Sequence, residues 1–218
     1  MFFAEFEWSF LQWGLMSLNE SVAKYQACME EIKRRVEVIE GLVARKFSTP
    51  YVITDVEFAC IQVRKILELI ALSAVVANKE ELTKVQNNLD RLWNAREIMK
   101  IINVVNPKYY PEPIILQGFN GDPNNTRTQP AKVGFLTQDE FLSIYSRCGG
   151  LLHAQNPFAK EKDFSDAYKV IGKWVVKVKK LLNQHIVNLV DRSTMIMVLM
   201  NFDVDGKVSI GAYGAQSQ

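Results

Sequence analysis

Apolar residues recur at three- and four-residue steps early in this chain: Val22, Tyr25, Met29, Ile32, Val36, Ile39 and Val43. Such spacing falls on one face only in a helix. The stripe therefore predicts a helix from Asn19 to about Phe47, with an apolar side that must be covered by other elements. Glu30, Glu31, Lys33, Arg34 and Arg35 fall largely outside the stripe. Ser48-Thr-Pro50 is expected to end the helix, because proline disfavours helical geometry in the residue before it.

The rest of the chain repeats the pattern. Thr54-Asp-Val-Glu57 has the form of a capping box and predicts a second helix running to about Asn78. That helix is apolar on most sides, which suits a central position. Lys79 to about Val104 reads as a third helix or two short ones, with Leu82, Val85, Leu89, Leu92 and Ile98 inward. Asn106 to Lys132 is rich in proline, glycine and asparagine and reads as a long loop. Thr137-Gln-Asp-Glu140 is another capping box, opening a helix that Asn156-Pro157 stops. Phe164 to about Leu189 reads as a long last helix. Met195–Met200 and Val208–Tyr213 read as strands, joined by a turn at Asp205-Gly206. The expected fold is mainly α: an antiparallel helical bundle with a C-terminal β-hairpin. It divides into an N-terminal extension (1–18), a bundle domain (19–192) and a hairpin appendage (193–218).

Net charge is +2, so any nucleic-acid surface has to be local. Cys28, Cys60 and Cys148 are odd in number and far apart, which points away from a disulfide framework or zinc knuckle and toward a reducing cytoplasm. The apolar run Ile66–Ala77 is broken by Glu68 and too short to span a bilayer, so no membrane partner is expected. The opening Met1-Phe-Phe-Ala-Glu-Phe-Glu-Trp lacks the basic start and small-residue cleavage site of a signal peptide. Met16 offers an alternative start.

Few residues can do acid–base chemistry near neutral pH, since the chain has two histidines. His153 follows Arg147 by six residues, about 120° around a regular helix. Gly149 and Gly150 lie between them and are placed to loosen the helix. Such a pair supports RNA cleavage without metal. Histidine would take the 2′-hydroxyl proton or protonate the leaving oxygen, and arginine would stabilise charge on the phosphate. The alternative is a surface arginine and a histidine at the negative end of the helix dipole.

Other candidates carry their own alternatives. Lys169, Lys173, Lys177 and Lys180 share one side of the last helix and either follow an RNA backbone or form a solvated face. Arg64 and Glu68, four apart on the central helix, are either site residues or an ion pair that fixes helix register. His185 continues the stripe Trp174, Val178, Leu181 and is expected to be a satisfied core residue. Asn201-Phe-Asp203-Val-Asp205-Gly206 imitates a calcium loop. However, the place for the bidentate glutamate is Ala212, so a tight turn is expected, with no metal and no cofactor.

Arg147-x5-His153 matches the Arg-x(4–6)-His pattern of the HEPN superfamily. It lies late in a helical chain, after the segment Gln62-Val-Arg-Lys-Ile-Leu-Glu68-Leu-Ile-Ala-Leu, which resembles the one that precedes the motif in several bacterial HEPN-like proteins. The resemblance spans about residues 19 to 190. It implies a helical, commonly dimeric fold, and a ribonuclease of toxin–antitoxin or antiviral-defence type with Arg147 and His153 catalytic. An RNA substrate, a homodimer and an antitoxin or other partner protein follow from it as expectations. The residue after the arginine, often polar in active members, is Cys148 here. Inactive HEPN domains serve as binding modules for protein or RNA, and that is the alternative function.

Overall fold

The computed structural model describes residues 4–86, 88–117, 127–159, 164, 166–190, 194–201 and 206–214. Six α-helices and a five-stranded antiparallel sheet are present among them. Helix α1 (Ala4–Val43) and helix α2 (Val52–Ala77) form the centre, packed along each other. The predicted stripe is buried: Tyr25, Met29, Ile32, Val36 and Ile39 meet Val56, Val63, Ile66, Leu67 and Ile70 in one core. Each such side chain removed from water contributes roughly 1.5–3 kcal/mol.

Helix α1 ends before the Ser48-Thr-Pro50 signal, and the cause is local. Arg45 adopts a positive φ of 53°. Lys46 N–H then bonds to the Gly41 carbonyl and Arg45 N–H to that of Leu42, so the last turn closes on itself. From Ala4 the expected separate extension (1–18) is simply the first part of α1.

The capping box expected at Thr54 does not form. Helix α2 starts at Val52 with Tyr51 as N-cap, and the Thr54 hydroxyl donates back to the Tyr51 carbonyl at 2.8 Å. Buried Asp55 holds the turn instead, accepting from Thr49 N–H at 2.6 Å and from the Tyr168 hydroxyl at 2.5 Å. Those bonds hold its carboxyl below the usual range, the Tyr168 one foremost.

The third predicted helix is two short ones, α3 (Lys79–Val85) and α4 (Ala95–Val105), with a single 3-10 turn at Leu89–Arg91 between them. The expected long loop holds strands β1 (Glu112–Gln117) and β2 (Arg127–Pro130). Here Ile114, Ile115 and Leu116 outweigh the flanking prolines, which sit at strand ends where a missing N–H is tolerated. Helix α5 (Gln138–Leu152) follows. The last helix, α6 (Ala167–Leu182), is shorter than predicted, because Gln184–Asn188 turn into strand β3. Ile186 and Val187 are β-branched and suit a strand.

Strands β4 (Thr194–Leu199) and β5 (Ser209–Gly214) pair antiparallel, as the sequence predicts. They are not an appendage. Strand β4 pairs along all of β3, and the sheet order is β2-β1-β3-β4-β5. The boundary expected at 192/193 lies outside the described residues, as do Asp203 and Asp205; Gly206 has φ of 67°. The hairpin joins α1: Gln26 Nε2 donates to the Val208 carbonyl at 2.7 Å, and Val208 N–H donates to Glu30 Oε1 at 2.7 Å.

Candidate nucleic-acid interface

Helix α5 is fixed at its start by the predicted box. Thr137 Oγ1 accepts from Glu140 N–H, and Glu140 Oε2 accepts from Thr137 N–H, both at 3.3 Å. The other Glu140 oxygen receives the ammonium of Lys177 from α6, which holds that carboxyl below its usual range. Seven residues along α5, about two turns, Arg147 comes round to nearly the same face. Its guanidinium carbon lies 5.4 Å from the ring centroid of Trp174 on α6. A cation–π contact whose cation is exposed is worth about 0.5–1 kcal/mol. Long side chains thus stitch α5 to α6 at two points.

Beside the second stitch is a recess of about 260 Å³. Arg147 and Leu151 line it from α5, and Ala167, Val170, Ile171 and Trp174 from α6. Asp166, the N-cap of α6, stands at the rim, and its carboxylate makes no capping bond. Arg147 and Asp166 are exposed, whereas Trp174 and Ile171 are buried.

His153 is exposed and caps α5 in an extended conformation, with φ −73° and ψ 143°. It does not line the recess. The glycine step expected to bring His153 toward Arg147 is continuous α-helix. Gly149 has a different role: a Cβ there would lie 2.9 Å from Arg64 Nη1. Its missing side chain makes room for a guanidinium. At Gly150 a Cβ would meet nothing within 4 Å.

Arg64 faces α5, on the side of Tyr145 and Gly149. Nη2 donates to the Tyr145 hydroxyl at 2.8 Å, and the guanidinium carbon sits 4.1 Å from that ring's centroid. The Tyr145 hydroxyl donates to Glu68 at 3.0 Å, and Arg64 and Glu68 are 3.6 Å apart. Burial and then the Glu68 carboxylate push the Tyr145 phenol up. The pair expected to fix helix register therefore ties two helices together through a tyrosine. Next to it, Cys60 on α2 and Cys148 on α5 are both fully buried. The neighbouring Cys148 thiol and then the Arg147 charge lower the Cys60 thiol, while Cys60 and burial raise that of Cys148 against the pull of the nearby arginines.

The lysine stripe divides. Lys169, Lys173 and Lys180 are exposed, while Lys177 is half-buried on Glu140. Lys169 and Lys173 flank the helix face that carries Val170 and Trp174. Arg96 of α4 adds a further cation, donating to the Ser146 hydroxyl beside Arg147. His185 is not on a helix. It is buried on β3, where Nδ1–H donates to the Leu182 carbonyl at 2.8 Å and Nε2 accepts from the Tyr25 hydroxyl at 2.9 Å.

Sequence spacing pointed to Arg147 and the lysines but not to Trp174, Asp166 or Arg96, whose roles arise from contacts between helices. Among the described residues, no group of three or more His, Cys, Asp or Glu could hold a metal, and no helix is long and apolar enough to cross a membrane. Comparison with protein-family models, curated proteins and solved structures found no match to this chain.

Proposed function

We propose that this protein binds single-stranded RNA on its α5–α6 face. The observation that carries the reading is Arg147 held over Trp174 at the edge of a recess, with exposed Lys169 and Lys173 on the same helix as the tryptophan. An arginine supplies fixed donors for a phosphate, an indole supplies a stacking platform, and lysines on an adjoining face follow a backbone. Binding of a labelled RNA dodecamer at low salt tests it by fluorescence anisotropy. Arg147→Gln and the double variant Lys169→Gln/Lys173→Gln should each weaken binding. No binding by the parent protein would end the reading.

Metal-independent cleavage of the HEPN type is the second reading, and a separate observation favours it. Arg147 and His153 are both exposed near one end of α5. A second copy could set His153 of one chain against a phosphate held by Arg147 of the other, as a two-fold symmetric dimer allows. Under this reading RNA is lost in EDTA, and either His153→Ala or Arg147→Ala stops the loss without unfolding the protein. RNA that stays intact while bound leaves the binding role alone.

A further inference from the structure

We infer that the recess between α5 and α6 takes one unpaired nucleobase, stacked on Trp174, with its phosphate on Arg147 and its N–H edge on Asp166. The inference rests on the RNA-binding reading and names what part of the RNA is recognised.

Size and lining choose the occupant. A volume of about 260 Å³ lies under the roughly 300 Å³ at which sites for drug-sized ligands begin. It suits one ring system. The walls are apolar and include a flat indole, while the polar side chains among the described residues are one guanidinium and one carboxylate. An aliphatic ligand would use neither charge. A bare anion would meet the Asp166 carboxylate as well as Arg147. A nucleotide answers all three: a π-face for the indole, edge N–H groups for a carboxylate that only accepts, and a phosphate for arginine.

Arg147 covers the Trp174 ring at present. Its side chain is exposed and long, so it can leave the ring by rotation alone. An arriving phosphate would draw the guanidinium outward while the base takes its place on the indole. Asp166 is positioned to receive the base edge because its carboxylate does not cap α6. Recognition of unstacked bases by an aromatic face and an edge contact is the usual route to specificity in single-stranded RNA.

The carboxylate also ranks the bases. Guanine offers it two adjacent N–H donors. Uracil offers one ring N–H between two carbonyl oxygens, which a carboxylate repels. A guanosine should therefore bind better than a uridine at this position.

The test compares two heptamers by anisotropy at low salt: all uridine, and uridine with one central guanosine. The guanosine heptamer should bind at least fivefold more tightly to the parent protein. Asp166→Asn should bring the two affinities together, and Trp174→Leu should cost the guanosine heptamer tenfold or more. Asp166 is exposed, so its variant reports on recognition even where loss of Trp174 disturbs packing. Equal affinity of the parent for both heptamers overturns the base pocket and leaves RNA binding standing. Binding of neither overturns both. A guanosine preference that survives Asp166→Asn also overturns the assignment.

Discussion

The Tyr25 hydroxyl donates to Nε2 of His185 at 2.9 Å, joining α1 to β3 inside the core. Burial pushes the histidine down to about 4 from its ordinary 6.5. It is thus neutral when folded, and the unfolded chain binds the extra proton between those values. Stability is fully present above about pH 6.5 and falls as pH drops toward 4, by about 3 kcal/mol. Urea unfolding between pH 7 and 5, above the carboxylate range, should show this slope, and His185→Leu should flatten it. Equal slopes in parent and variant would remove the assignment. Tyr25→Phe leaves Nε2 without its donor and should cost about 1–3 kcal/mol.

The two glycines of α5 should respond differently to alanine. Gly150→Ala adds a Cβ where nothing lies within 4 Å and should stabilise by about 0.5–1 kcal/mol. Gly149→Ala meets Arg64 Nη1 at 2.9 Å, so it must displace a guanidinium bound to Tyr145 and should gain nothing or lose stability. Thermal melts of both variants decide this. A gain at both positions would mean that Arg64 is not held against α5.

Thiol chemistry should separate the cysteines by burial. Cys28 is partly exposed, while Cys60 and Cys148 are fully buried. Burial also raises the Cys28 thiol, so its reaction should be slow at neutral pH and faster at pH 9. Titration with an aromatic disulfide reagent should count one thiol in the native protein and three after denaturation.

Salt dependence should sort the lysines if RNA is bound as proposed. Each lysine that meets a phosphate of a single strand contributes about 0.7 to the slope of log affinity against log salt. Lys169→Gln and Lys173→Gln should each lower the slope. Lys177→Gln should leave it nearly unchanged, because Glu140 already occupies that ammonium. A drop for Lys177→Gln as large as for Lys173→Gln would count against the assigned face.

What could be read in the sequence was local. The α1 stripe, the Thr137 box and the last hairpin depend on neighbours within a few residues, and they stand as read. The Thr54 box failed because Tyr51 starts the helix sooner and the threonine bonds back to it. Strand β3 was concealed because His185 falls in step with Trp174, Val178 and Leu181, so a helical period runs on past Leu182. Prolines hid β1. At the candidate site, Arg147 and His153 could be picked out by type and spacing. The contact that organises the site, Arg147 on Trp174, joins two helices and has no signature in either.

The ties between α1 and the last hairpin also set an order of events. Gln26 is 182 residues from Val208, and Tyr25 is 160 from His185. At about 5–20 residues per second, a ribosome makes α1 roughly 10–40 s before the partners that close its polar flank and its core. During that interval the stripe from Tyr25 to Ile39 has α2 for cover but not the sheet. The earliest-made helix is therefore completed last, and a nascent chain stalled before β3 would display that stripe to whatever binds unfinished proteins.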